Sequence, residues 1–207
     1  MSANQSNISQ IPVFRSLSSA TLQALKRTGV QRRFRVGELL LEGGARAEWL
    51  HVVEQGLVRE FYVTAAGDEH TRVFVAEGGV TGSRIDLRSG APAVTWIQAI
   101  EPTSTLAFRL AEFDALARQH GDLETLARRF VEALAIRKTR REYEMLALSA
   151  ADRLISWRAE NPGLDERITR RLLASYLGIT PVHLSRISAG VRHRATEGPR
   201  ERVRPPR

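Results

Sequence analysis

The 207-residue chain contains no cysteine. That absence excludes disulfides, thiolate zinc sites, cysteine-ligated iron–sulfur clusters and a cysteine nucleophile. No run of about 18 apolar residues is present, so no segment reads as a membrane span. The opening MSANQSNISQIP is polar and does not read as a signal peptide. The five histidines are scattered. With no histidine cluster, paired acid–base set or nucleophile motif, an enzyme is the poorest fit of the function classes. What remains is a non-catalytic, soluble protein of a reducing compartment, expected in the cytoplasm, with no membrane and no metal.

What the chain does have is a basic excess, 31 Lys and Arg against 23 Asp and Glu, net +8. Residues 1–149 carry 19 basic and 17 acidic side chains, whereas residues 150–207 carry 12 and 6. The excess therefore sits in the last quarter and points to an anionic partner. Seven of those twelve basic residues lie at 186–207, which a merely solvated tail would also explain.

The first part of the chain has helical spacing from Pro12 to Val30 at Leu17, Leu22 and Leu25, with Ser18 or Ser19 as the N-cap. Residues 31–110 change in texture. Short β-rich runs at 32–35, 39–41, 49–54, 57–63, 71–76, 94–99 and 105–110 are separated by glycine-containing turns. Many short strands at close spacing predict a sandwich, jelly roll or barrel. A short helix follows around Phe113 and Leu116. Asp122 is then the expected cap of a long one reaching Leu148, with Leu123, Leu126, Phe130, Leu134, Met145 and Leu148 near a 3.5-residue period. That stripe suits packing on the β domain, on a second copy, or both. The polar stretch 137–141 interrupts it. Ser149 caps a further helix that ends at Asn161–Pro162–Gly163.

The segment 169–187, TRRLLASYLGITPVHLSRI, carries the sharpest signal. Thr169 caps a first helix, Gly178 supplies the positive φ of a tight turn, and Thr180 caps a second helix with Pro181 at its first position. Leu173, Ala174, Leu177, Ile179, Leu184 and Ile187 form one small core. This is the pattern of a helix-turn-helix, the alternative being a helical hairpin with a protein-packing role. If the second helix enters a major groove, Val182, His183 and Arg186 face the bases, Arg186 being able to bond guanine O6 and N7 together. Thr169, Arg170, Arg171, Thr180 and Ser185 are placed for phosphates.

Taken together, residues 34–44 (FRVGELLLEGG), 50–61 (LHVVEQGLVREF), the Gly67 hairpin, 77–84 (EGGVTGSR), 95–108 (TWIQAIEPTSTLAF) and 172–187 resemble the Crp/Fnr-type bacterial transcription regulators. The resemblance covers about Pro12 to Ser188. It implies an α+β fold: an N-terminal β-roll, jelly-roll-like, of the cyclic-nucleotide-binding type at residues 1–110, with the N-terminal helix. A short helix and a long linker or dimerisation helix would occupy 111–148 and a helix-turn-helix domain 149–188. Residues 189–207 read as a basic, disordered tail, because Ser188–Ala189–Gly190 is expected to break the last helix.

Departures from the family pattern shape the functional expectation. Cyclic AMP-binding members carry a Gly-Glu pair and then an Arg-Ser pair. Here Gly82 matches the glycine, but Ser83 stands at the glutamate and Ala93 and Val94 at the Arg-Ser positions. Losing the arginine removes the cation that would pair a cyclic phosphate in a partly buried pocket. Arg84 and Arg88 are the nearby substitutes. The candidate effector pocket is Gly82, Ser83, Arg84, Val94 and Thr139. Haem would need axial ligands, and His51, His70 and His120 read instead as surface or turn histidines. Val182–His183 also replaces the glutamate frequent in the family's reading helix.

The expectation is a homodimeric, sequence-specific DNA-binding regulator of inverted-repeat sites, without cofactor and with an unknown small-molecule effector other than cyclic AMP. RNA polymerase is a further candidate partner. The alternative is a small-molecule or cyclic-nucleotide sensor with a weakened or nonspecific DNA-binding end.

Overall fold

A computed structural model describes residues 8–83, 86, 88 and 90–196, for 191–196 the backbone only. The chain forms two compact units, Met1–Lys138 and Thr139–Arg207.

In the first unit two 3-10 turns, Ile8–Gln10 and Pro12–Phe14, lead to helix α1 (Ser19–Thr28). Of the two expected caps the structure uses Ser18, which is extended and whose Oγ accepts the Thr21 N–H at 3.3 Å, leaving Leu17 ahead of the helix. Eight strands follow: β1 (Val30–Phe34), β2 (Leu39–Leu41), β3 (Trp49–Gln55), β4 (Val58–Val63), β5 (Glu69–Val75), β6 (Val80–Thr81), β7 (Trp96–Ala99) and β8 (Thr103–Arg109). They pair antiparallel in two four-stranded sheets, β1-β8-β3-β6 and β2-β7-β4-β5. The turn from β3 to β4 depends on Gly56, whose φ is +95° and whose missing side chain leaves room for the Pro102 carbonyl.

Two clusters hold this unit. Val53, Val58, Val75, Ile97 and Ala99 pack together from both sheets. Phe14, Leu25, Leu50, Val52, Phe108, Phe113 and Leu123 join the first sheet to α1, α2 (Leu110–Gln119) and the start of α3 (Gly121–Ala147). Each such valine, leucine, isoleucine or phenylalanine contributes about 1.5–3 kcal/mol of transfer free energy.

Two expectations are corrected here. His51 is not a surface histidine: it is buried in β3 against Phe34, with Nδ1 3.0 Å from Thr105 Oγ1. The strand's pleat turns it inward, and burial, helped by Arg32, lowers its pKa from 6.5 to about 4. Asp122 does not cap α3, which begins one residue earlier. Its carboxylate instead accepts hydrogen bonds from the Ser18 N–H and the Thr21 hydroxyl, both at 2.7 Å, tying α3 to the N-terminus of α1. Those bonds, the Ser18 N–H foremost, hold its pKa down at about 2.

The second unit contains the end of α3, then α4 (Ala150–Glu160), α5 (Leu164–Arg167), α6 (Arg170–Leu177) and α7 (Pro181–Thr196). Ser149 caps α4 through the Asp152 N–H, as its sequence position predicts. Helix α7 runs through Ser188–Ala189–Gly190 to Thr196, contrary to the expected break. One glycine costs about 1 kcal/mol against alanine, and Ser188 is buried rather than exposed. The rest of the expected tail, 197–207, lies outside the described residues. No helix among the described residues is long and apolar enough to cross a membrane.

Candidate functional site

Local chemistry builds the helix pair of the second unit. Thr169 is extended and accepts the Leu172 N–H at 3.3 Å, starting α6. Gly178 ends it in the left-handed region at φ 69°, so the Ile179 N–H reaches back to the Ala174 carbonyl at 3.0 Å. Thr180 Oγ1 then accepts the His183 N–H at 3.1 Å, and Pro181 opens α7. Leu173, Ala174, Leu177 and Leu184 are buried between the helices, with Ile179 and Ile187 half-buried beside them. Four of the six residues assigned to the small core are therefore buried and two half-buried.

The opposite face of α7 presents Val182, His183, Ser185 and Arg186, every one exposed. The Ser185 hydroxyl donates to the Pro181 carbonyl at 3.0 Å, so its one proton must leave that carbonyl to meet a phosphate oxygen. Arg170 and Arg171 are exposed in the first turn of α6, flanked by exposed Thr169. Arg170, Arg171 and Arg186 form no ion pair among the described residues. Three solvated guanidiniums beside two helix N-termini are an arrangement suited to phosphates and base edges.

Sequence reasoning overlooks how the end of α3 is bolted to this pair. Arg141 stacks on the Tyr176 ring at 4.2 Å and donates to the Tyr176 carbonyl. Met145 Cε lies where a side chain at position 178 would stand, 2.9 Å from an ideal Cβ. The only hint was the arginine interrupting an apolar stripe, which reads equally as solvated surface.

In the first unit, the loop after β6 holds the other expected group. Gly82 has φ 142°, and Ser83, at φ 41°, is the one non-glycine residue with positive φ among the described residues. Ser83 is buried, while Val94 is exposed and contributes only its backbone. Arg84 lies outside the described residues, and Thr139 is on the exposed surface of α3. Arg88, the other substitute cation, is half-exposed and paired with Asp114 at 2.9 Å. A residue the sequence did not single out organises the loop. Asp86 accepts from the Ser83 hydroxyl at 2.7 Å and from the Thr95 and Val94 N–H groups at 3.3 and 3.4 Å. Its Ser-x-x-Asp spacing to Ser83 was the available signal. Further inside the roll, buried Glu60 accepts from Arg72 at 2.6 Å and from the Thr81 hydroxyl at 2.7 Å. Among the described residues no group of three or more His, Asp or Glu is placed to hold a metal.

Comparison with known proteins places these features. Residues 31–120 match the cyclic nucleotide-binding domain family. No curated protein sequence matches the chain. Among solved structures, the chain is similar to FixK2 from Bradyrhizobium japonicum (TM-score 0.69, 18% identity, covering 80% of this chain and 85% of that one). It is similar to the c-di-GMP responsive global regulator CLP of Xanthomonas campestris (0.64, 15%, 85% and 92%). A Eubacterium rectale protein assigned to the crp/fnr family of transcriptional regulators gives 0.68, 14%, 88% and 87%. Residues 31–120 thus resemble the cyclic nucleotide-binding domain, and the chain is similar in fold to solved Crp/Fnr-type regulators.

Proposed function

We propose that this chain is a homodimeric, sequence-specific DNA-binding transcription regulator of the Crp/Fnr type. The observation that carries the reading is the outward face of α7. Val182, His183 and Arg186 stand free on a capped, rigid helix, with Arg170, Arg171, Thr169, Thr180 and Ser185 around them for the phosphate backbone. Arg186 reads guanine, Val182 a thymine methyl, and His183 a base edge or phosphate. A second copy covers the exposed apolar side chains Val131 and Ile136 of α3 and sets two reading helices about one DNA turn, roughly 34 Å, apart. The operator is then an inverted repeat.

The β-roll serves as the sensor domain, and its effector is not cyclic AMP. Ser83, Ala93 and Val94 offer no cation, and Arg88 is committed to Asp114. An unpaired cyclic phosphate among buried side chains is costly. An effector acts by shifting the population between dimer states. The protein performs no catalysis, works in the cytoplasm, and has RNA polymerase as a candidate partner.

The test is selection of bound duplexes from a random pool by the purified full chain. The expected product is an inverted repeat with half-sites one helical turn apart. A selected pool no different from the input overturns the reading and favours a sensor with only nonspecific affinity for DNA.

A further inference from the structure

The loop after β6 contains donors that converge on one point, and that point is already filled. Ser83 and Asp86 are each 5% exposed and Thr95 is fully buried. The single Ser83 proton goes to Asp86 Oδ2 at 2.7 Å, and the Thr95 hydroxyl lies 2.9 Å from Ser83 Oγ. The Thr95 N–H reaches Oδ2, and the Val94 N–H reaches Oδ1. Two hydroxyls and two backbone N–H groups thus surround one carboxylate in a site nearly closed to water.

Two features indicate that the cradle is built for a negative charge. Burial alone would raise the pKa of Asp86, yet the hydrogen bonds from Ser83, Thr95 and Val94 outweigh it and hold the group below its ordinary range. The cradle also keeps Ser83 at φ 41°, a left-handed conformation that costs a non-glycine residue free energy and persists only where its surroundings impose it. Oxygens of carboxylates and phosphates accept from the same O–H and N–H donors. A second anion could not share the site, because two like charges at contact distance in a poorly solvated interior repel strongly.

We propose that this cradle is an oxyanion site which the chain occupies with its own Asp86 carboxylate, shutting out external phosphoryl groups. Free phosphate and the phosphate of a cyclic nucleotide share the excluded chemistry. The internal anion makes Asp86 a specificity-determining residue: its carboxylate holds the donors that an external oxyanion would need. This deepens the reading of the β-roll as a sensor domain indifferent to cyclic AMP.

The test compares thermal melts of the full-length wild type and the Asp86→Ala variant in chloride, formate, inorganic phosphate or cyclic AMP at matched ionic strength. The change each salt makes to wild type, through general salt effects and the exposed arginines of α6 and α7, sets the baseline. Asp86→Ala is expected to melt several degrees lower in chloride and to recover most of that loss in at least one of the three oxyanions. Recovery in formate or phosphate identifies a small-anion site, and recovery in cyclic AMP alone a nucleotide site. Adding Ser83→Ala should abolish the recovery. If Asp86→Ala is unfolded in chloride, recovery of its far-ultraviolet circular dichroism by oxyanions is the same readout. Stabilisation of wild type by an oxyanion as large as that of Asp86→Ala overturns the proposal, as does an Asp86→Ala protein that none of the three restores beyond the wild-type baseline. No DNA enters the experiment, so failure of the DNA-binding reading leaves its outcome unchanged.

Discussion

The helix pair at the C-terminal end and the loop after β6 hold their polar groups in opposite ways. On α6 and α7, Arg170, Arg171 and Arg186 project into solvent without ion pairs among the described residues, and the caps Thr169 and Thr180 are satisfied by their own helices. In the loop, the hydroxyls of Ser83 and Thr95 and the N–H groups of Val94 and Thr95 turn inward on Asp86. One region spends its hydrogen bonds on its own scaffold and leaves its charges for a partner. The other satisfies itself. A surface group left free can be read by a ligand at little desolvation cost, whereas a buried group must be satisfied within the fold or it is destabilising.

Breaking the scaffold beneath the open face should have the largest effect. Leu184→Ala removes a side chain only 1% exposed and should cost about 2–5 kcal/mol of second-unit stability. Chemical denaturation with a probe in that unit, such as Trp157, would show it, and operator affinity should fall with it. Arg186→Ala should leave the melt unchanged yet lose about 1–3 kcal/mol of discrimination, seen as a narrowing gap between operator and scrambled DNA. The two variants together separate scaffold from reader.

A pH series sharpens the other half of the comparison. His51 is buried and neutral, with its folded pKa lowered from 6.5 to about 4. The unfolded chain therefore takes up a proton that the folded one refuses between those values. The stability contribution is complete above pH 6.5, falls as pH drops through that window, and levels below 4, with a slope of up to about 1.4 kcal/mol per pH unit. His51→Gln should flatten that part of the stability–pH profile measured by urea denaturation. Thr180→Ala is the smallest change, about 1 kcal/mol for a lost N-cap. It should lower affinity for all duplexes alike, which titration against operator and scrambled DNA would register.

How much of this was legible in the sequence follows from the distance between partners. The helix-turn-helix could be read because its caps, glycine, proline and core fall within twenty residues and each acts on its neighbours. The β-roll could be read as short strands between glycine turns, although β6 is too short to show a period, and α5 escaped notice for the same reason. Asp122 was misread because its partners Ser18 and Thr21 lie about a hundred residues away. His51 was misplaced because its burial depends on Phe34 and Thr105 from other strands. Asp86 needed the loop to fold back nine residues before Thr95 could meet it. The break at Gly190 failed because burial of Ser188 outweighs a local propensity.

On the proposed reading, the exposed face of α7 reads sequence without help from a nucleotide in the β-roll. Fluorescence anisotropy of the full chain on its own upstream DNA and on scrambled DNA, across a salt series with and without cyclic AMP, tests it directly. The expected result is a preference for the upstream DNA that survives rising salt and is unchanged by cyclic AMP. Weak binding, equal on both duplexes and lost steeply with salt, would contradict it, as would a preference that appears only with the nucleotide.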